Sequence, residues 1–411
     1  MNQTNQKVFW LVSFLWGTTF VLPAFYVFIG TETKIILGLL VCLLGFLSSQ
    51  NMGVIKKASF LFIIFFFIEL FVIFFQPGLF ATSLNYNISE LLQRYIDILA
   101  GVYVFDNIKY LGPRSNKFIF RAFCLMIAYT CLFSITALVS NPELVRMSIN
   151  EQLSSSYSRL MNFNHAYSFI LLAPLCMLLL KLSKISKVLW GTYFALIIFA
   201  IIFSSFTLSY FVLAIEMVSS LILMQHGERS GKKIFIYILV IGGIVVLIYN
   251  LADVLNWIST VIDSPSVSIR IREIQVAMSG KTAEGDLGAR IKTYSDSIAS
   301  FVTHPLGAFG WNAKSIVTGG HSRILDMFAK YGIFTFLYFV FWRSFYKSGM
   351  DNIPEMYQGA WKAVFIGGLA IEIINPFLEG YLLFFGPIML QLAIRCIIDS
   401  DQEFLYAADD F

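Results

Sequence analysis

Three stretches of the chain hold residue types suited to chemistry on a phosphorylated substrate. "SSSYSRLMNFNHAYSF" carries Arg159, Asn162, Asn164 and His165. "GARIKTYSDSIASFVTHPLGAFGWN" carries Arg290, His304 and Trp311, and "TGGHSRILDMFAKYG" carries His321, Arg323 and Asp326. An arginine fork matches a phosphate or diphosphate through paired charge-assisted hydrogen bonds. A histidine titrates near neutrality and can take a proton from a hydroxyl. No ATP-type phosphate loop accompanies them, because "GAFGWN" lacks the following Lys-Ser/Thr. Asp399-Ser400-Asp401 is formally a metal-holding DxD, but it stands at a helix exit without supporting ligands and reads as acidic tail. Cys42, Cys124, Cys131, Cys176 and Cys396 lie in apolar runs with no CxxC spacing. They read as packing residues, with neither a disulfide framework nor a metal site.

The elements that must position these residues are membrane helices. Hydrophobic residues make up 58% of the chain and charged residues 13%, where a soluble domain carries about 25% charged. Mean hydropathy is +0.75. The net charge of +4 is too small to point to a nucleic-acid partner. A bilayer core needs roughly 20 apolar residues per helix. The apolar runs predict spans near 8–29, 35–50, 58–76, 88–106, 118–139, 165–181, 188–204, 206–225, 234–251, 323–342, 360–376 and 379–398. The fold expected is thus an all-α polytopic membrane protein of about twelve transmembrane helices. The fourth span is the weakest, since Glu90, Arg94 and Asp97 interrupt it. The first is read as a retained helix, because no A-x-A cleavage site follows it.

Charge placement sets the expected orientation. "KK" at 56–57, "KYLGPRSNK" at 109–117, "KLSKISK" at 181–187, "GERSGKK" at 227–233 and "RSFYKSG" at 343–349 fall on one side. The short loops "TETK", "QPGLFATSLNYN", "SSFTLSY" and "NPFLEG" fall on the other and hold almost no Lys or Arg. The positive-inside rule then places both termini in the cytoplasm. The chain divides into nine spans over 1–251, with an outer loop near 140–164, a large outer loop at 252–322, and three spans plus a tail over 323–411. The large loop carries Arg270, Arg272, Lys281, Arg290, Lys292 and Lys314, which a long translocated loop can do without changing topology. "IRIREIQVAM" and "ARIKTYSDSIASFV" read as short helices on the outer face.

Outside the cytoplasm neither ATP nor sugar nucleotides are at hand, so a leaving group must arrive with the substrate, as on a lipid diphosphate. Here the chain resembles the bacterial O-antigen polymerase (Wzy-type) and O-antigen ligase superfamily. Arg290, His304-Pro305-Leu306, Gly310, His321-Ser322 and Tyr331-Gly332-Ile333 follow one another as the signature residues of that superfamily do. "SRLMNFNHA" is similar to its arginine-bearing first-loop turn. The resemblance implies a GT-C-like glycosyltransferase acting on a glycan carried by undecaprenyl diphosphate. It further implies inversion at the anomeric carbon, no metal, no cofactor, and a chain-length regulator as partner. Arg290 and Arg159 would neutralise the departing diphosphate, and His321 would orient or deprotonate the acceptor hydroxyl.

One departure bears on the site. The family often shows Thr-x-Ser-Arg after its seventh span, where this chain reads "TLSY", with Tyr210 in the arginine's place. Arg270 and Arg272 are the candidates to supply the missing charge, or else to anchor to anionic headgroups. Trp311 is a candidate to stack on a sugar. Arg323 either joins the substrate site or pairs with Asp326 one helical turn on. Ser322 reads as an N-cap, His165 as a cap of the sixth helix, and His304 as shaping a turn before Pro305. Glu69, Glu216 and Glu372, deep in apolar runs, are expected to face the bundle interior or to be protonated. They read either as structural partners of Arg94 or Lys330 or as lining a lipid pathway, with the structural reading favoured. Three activities remain open on the sequence: repeat-unit polymerase, ligase to a lipid A core or protein, and a transporter such as a lipid-linked-oligosaccharide flippase. The absence of an inverted repeat disfavours the last.

Overall fold

The computed structural model describes residues 3–48, 53–79, 84–141, 144, 159–182, 187–204, 206–225, 285–310, 315–375 and 379–409, with isolated positions between 253 and 276. Among these, 91% are helical and none is in a strand. Apolar runs in lipid leave the backbone no partner but itself, so they close their hydrogen bonds within helices. Among the described residues, five helices are long and apolar enough to cross a membrane: Pro23–Leu47, Pro113–Ser140, Phe163–Leu182, Arg323–Asn352 and Glu379–Asp399. Ser59–Phe75, Lys187–Phe203 and Leu208–Leu223 are shorter apolar helices. The ninth expected span, 234–251, lies outside the described residues.

The helices are α1 (Gln3–Val21), α2 (Pro23–Ser48), α3 (Gly53–Phe75), α4 (Leu84–Asn107), α5 (Pro113–Ser140), α6 (Phe163–Ser168), α7 (Ala173–Leu182), α8 (Lys187–Phe203), α9 (Thr207–Leu223), α10 (Gly285–Thr303), α11 (Arg323–Tyr331), α12 (Phe336–Asn352), α13 (Gln358–Ile374), α14 (Glu379–Leu383) and α15 (Met389–Asp409). α2 packs between α1 and α4, α3 against α12, α9 against α13, and α5 against α8 and α15; α10 lies on α11. Prolines mark several boundaries. Pro113 opens α5, where its missing N–H is no loss. Pro387 sits in a π-helical turn, Phe384–Ile388, between α14 and α15.

The structure corrects the first two expected spans. α1 ends at Val21, before Pro23, and does not run on to residue 29. "TETK", expected as an outer loop, lies inside α2 just beyond its break at Gly30. Lys34 is fully buried, and its ammonium lies 2.9 Å from Asp97 Oδ2 of α4. The indole Nε1 of Trp16 donates to Asp97 Oδ1 at 3.0 Å. The Lys34 charge also stands 3.9 Å over the Phe20 ring, a favourable seat for a desolvated cation. The charges that interrupt the fourth span therefore do not break it: Asp97 and Arg94 have partners on other helices, and Glu90 pairs with Arg94 one turn on.

Expected outcome: Asp97→Asn keeps an acceptor for Trp16 but leaves the Lys34 ammonium without a counter-charge. It should destabilise the fold by about 3–5 kcal/mol, with most of that recovered in Lys34→Met/Asp97→Asn. Reversible unfolding in detergent micelles measures both.

Candidate functional site

The site begins with a cluster of charges that fixes where α11 starts. Arg323, the first residue of α11, donates from Nε to Glu379 Oε1 at 2.8 Å and from Nη2 to Glu69 Oε1 at 3.3 Å. Arg94 of α4 pairs with the same two carboxylates, at 3.2 Å to Glu379 Oε2 and 3.6 Å to Glu69 Oε2. It also reaches Glu90 at 3.0 Å. Glu69 and Glu379 are completely buried. Tyr338 of α12 donates to Glu372 Oε1 at 2.6 Å and approaches Glu379 Oε1 at 3.4 Å. Two guanidinium forks thus share two carboxylates, and each charge is met by more than one partner. The sequence expectation that Glu69 pairs with Arg94 is met. The expectation that Arg323 pairs with Asp326 is not: Arg323 turns away from its own helix toward α3 and α14.

Asp326 has a different task. Its Oδ1 accepts from Ser297 Oγ of α10 at 2.7 Å and from the Gly319 backbone N–H at 3.1 Å. Ser297 Oγ also accepts from Gly319 N–H at 3.0 Å. A carboxylate in the first turn of a helix is well placed for this, facing unsatisfied N–H groups and the positive end of the dipole. Ser322 caps α11 by accepting from Leu325 N–H. The turn leading to His321 is therefore tied to both α10 and α11. Gly319 is obligatory there, since a Cβ would stand 2.4 Å from Thr293 Cβ and 2.6 Å from its carbonyl oxygen. Gly320 has φ +70°, and open space surrounds it.

This turn brings His321 and Arg290 to one end of α10 and α11. Burial lowers the pKa of His321, the Arg290 guanidinium lowers it further, and Asp326 opposes them in part. The imidazole is therefore neutral at pH 7 and able to accept a proton. Arg290 Nη1 donates to Asn375 Oδ1 at 3.3 Å. The Asn375 carbonyl accepts from the Arg323 backbone N–H at 3.2 Å, while its buried Nδ2 has no hydrogen-bond partner among the described residues. Tyr294 Oη donates to the Ile374 carbonyl at 2.7 Å and pins α10 to the end of α13. The outer side of α10 leaves Ile291, Ile298 and Val302 exposed, as helices lying at a membrane interface do.

The two remaining signature stretches also meet. The Ile333 backbone N–H donates to the Pro305 carbonyl at 2.9 Å. Gly307 and Gly332 both have φ +55°, and a Cβ on either would strike the backbone of the other. His-Pro-Leu-Gly and Tyr-Gly-Ile are spaced far apart in the chain because they form the two halves of one backbone contact. His304 shapes this turn, as expected, with its carbonyl accepting from Gly307 N–H and its Nε2 2.8 Å from Ser315 Oγ.

The other expected site residues are more scattered. Arg159 is exposed, with its guanidinium carbon 5.9 Å from the Phe133 ring centre. Arg272 is exposed. Tyr210 Oη donates to the Ile202 carbonyl at 2.7 Å and closes the turn between α8 and α9. His165 forms a capping box with Asn162 at the start of α6, as expected. Arg270 and Trp311 lie outside the described residues. Asn375, Ser297 and Glu379 are members of the arrangement that sequence reasoning did not single out. The only local signal was the polar "NPFLEG" between two apolar runs.

The class these features define is an all-helical protein whose apolar helices can cross a membrane, with a histidine and an arginine gathered at one end of two packed helices. No family model and no curated protein sequence matches the chain.

Expected outcome: Gly319→Ala forces α10 away from the 316–322 turn. It should cost about 1–3 kcal/mol by overpacking. Hydrogen–deuterium exchange should rise in that turn and at the start of α11, and stay unchanged in α1 and α2.

Proposed function

We propose that this chain is a membrane glycosyltransferase of the O-antigen polymerase type. In this reading it joins undecaprenyl-diphosphate-linked oligosaccharide repeat units into O-antigen or capsular polysaccharide at the periplasmic face of the bacterial inner membrane. Both termini are cytoplasmic, about twelve helices span the bilayer in a GT-C-like fold, and a chain-length regulator is the partner protein. The observation that carries the reading is that a turn locked by Asp326 and Ser297, with Gly319 packed on Thr293, sets the half-buried His321 close enough to Arg290 for its charge to lower the histidine pKa.

The chemistry follows from those two groups. His321 takes the proton from a sugar hydroxyl of the acceptor. The resulting oxygen attacks the anomeric carbon of the donor from the side opposite the diphosphate. The new glycosidic C–O bond forms as the bond to the diphosphate breaks, inverting the centre. The lipid diphosphate leaves with the electron pair, and Arg290 takes up its charge. A positioned base contributes about 10²–10⁴-fold, and stabilisation of the leaving charge can contribute as much. Asn375 Nδ2 is a donor still available to the same diphosphate. Arg159, Arg270 and Arg272 remain candidates for the outer phosphate and Trp311 for a sugar face. Tyr210 hydrogen-bonds to backbone. Arg323, engaged by two carboxylates, acts as a positioning residue.

A transporter would also carry charges at membrane depth. The cluster of Arg94, Arg323, Glu69 and Glu379 is internally compensated, which favours a clamp over an ion pathway.

The test is glycan length on a gel from a deletion strain complemented with wild type, His321→Ala or Arg290→Ala at matched membrane expression. Wild type should give a ladder and both variants single repeat units. Full ladders from the variants would sink the mechanism. Long unattached chains on the carrier lipid in the deletion strain would make the protein a ligase, and repeat units trapped on the cytoplasmic face would make it a flippase. A second expectation concerns pH. Because His321 has a lowered pKa, activity in membranes should persist as pH falls through the ordinary histidine value of about 6.5 and be lost only below it. A midpoint at or above that value in the rate profile contradicts the base assignment.

A further inference from the structure

A cavity of about 600 Å³ opens between α12 and α13. Phe339, Trp342, Phe365 and Leu369 form its walls, and Leu223 of α9 and Pro387 close its sides. Its volume falls within the usual range for small-molecule sites, about 300–1,000 Å³. Its two ends differ. Glu372 stands at one end, already satisfied by the Tyr338 hydroxyl at 2.6 Å. Arg343 and Lys362 stand at the other. Lys362 lies ten residues before Glu372 on α13, so the cavity runs about 15 Å along the helices. Arg343 lies five residues, about 7.5 Å, further along α12 than Tyr338, whose hydroxyl approaches the Glu379 carboxylate that Arg323 holds. The cationic mouth therefore lies beyond Tyr338 along α12, on the side of the Trp361–Tyr346 contact and away from the carboxylate that holds Arg323.

Neither cation has a carboxylate partner or hydrogen bond among the described residues. The two helices are held firmly at this end, since Trp361 Nε1 donates to the Tyr346 carbonyl at 3.1 Å and the Trp361 ring fills the space beside Gly349. An apolar slot thus opens between two membrane helices, and its mouth carries two uncompensated positive charges. Basic pockets of this form between membrane helices match anionic lipid headgroups.

We propose that this cavity binds one anionic phospholipid from the leaflet on the Arg343 side, with its phosphate between Arg343 and Lys362 and one acyl chain along Trp342 and Leu369. The chain tip reaches the Glu372–Tyr338 pair, so the lipid braces α12 and α13 behind the charge cluster. The site does not depend on the chemistry proposed for His321 and Arg290.

Trp342 provides the probe. Full-length protein is placed in phosphatidylcholine vesicles, and brominated phosphatidylglycerol or brominated phosphatidylcholine is titrated in. Subtracting the signal of Trp342→Phe removes the other tryptophans. The Trp342 signal should be quenched by the anionic lipid at a mole fraction about tenfold lower than by the zwitterionic one. Arg343→Gln/Lys362→Gln should abolish that preference. Gly368→Leu is an independent second variant. A Cβ at Gly368 meets nothing within 4 Å, and this residue lines the cavity. The added side chain should fill the slot without disturbing the fold and suppress Trp342 quenching by both lipids. Matching size-exclusion profiles confirm that each variant is intact. Equal quenching of wild type by the two lipids overturns the proposal, as does wild-type quenching in both Gly368→Leu and the double variant.

Discussion

A buried cluster of two arginines and two glutamates is the constraint on which the rest of this structure depends. Removing one member of a buried ion pair costs about 3–5 kcal/mol, because the other charge is left uncompensated. Here Glu69, Arg94, Arg323 and Glu379 come from four different helices. Each is buried, and a buried charge left without its partner is strongly destabilising, so the assembled cluster selects one arrangement of α3, α4, α11 and α14. α14 also joins the cluster to the second buried pair. Glu379 meets the arginines, Gly380 lies against Asp97 closely enough to exclude a Cβ, and the Tyr381 ring stands 5.4 Å from the Lys34 ammonium. Three consecutive residues thus couple two charge groups.

The candidate site inherits its geometry from that constraint. Arg323 is clamped as the first residue of α11, Ser322 caps the helix, and His321 follows directly outside. The histidine needs no hydrogen bond of its own to be placed, because Asp326 and Ser297 hold the turn before it. Asn375 ties the end of α13 to both Arg290 and the Arg323 backbone. The glycine contact between residues 307 and 332 fixes the far end of α10 relative to α11. The short helices and 3₁₀ turns of this region hence act as one rigid frame at the end of the bundle.

Much of this was legible in the sequence, and the misses have a common cause. Composition alone predicts apolar helices able to cross a membrane, and the structure has them. The apolar run from 118 to 139 falls inside α5, and "ARIKTYSDSIASFV" inside α10. Ser322 as cap, His165 as cap, His304 as turn former and Glu69 with Arg94 were readable from residue type and local placement. "TETK" was misread because a lysine in a short polar stretch looks like a loop when its partner, Asp97, lies on another helix. Arg323 and Asp326 looked like a local pair because helical spacing allows one. Fully buried carboxylates on α3 and α14 attract Arg323 more strongly than a neighbour already engaged by Ser297 and a backbone N–H. Asn375 carried no periodic signal at all, since its task is to bridge elements that meet only in the folded chain.

The central claim is that the charge cluster positions His321 within the field of Arg290, and histidine NMR titration tests it most directly. The chain has four histidines, so His321→Asn assigns the resonance. The account predicts a wild-type His321 titrating below the ordinary value of about 6.5, and a midpoint that moves up toward that value in Glu379→Gln. Charge alone would give the opposite sign, because removing a carboxylate lowers a histidine pKa. A rise therefore reports lost geometry. An unchanged or lower midpoint in Glu379→Gln would contradict the claim that the cluster positions the histidine.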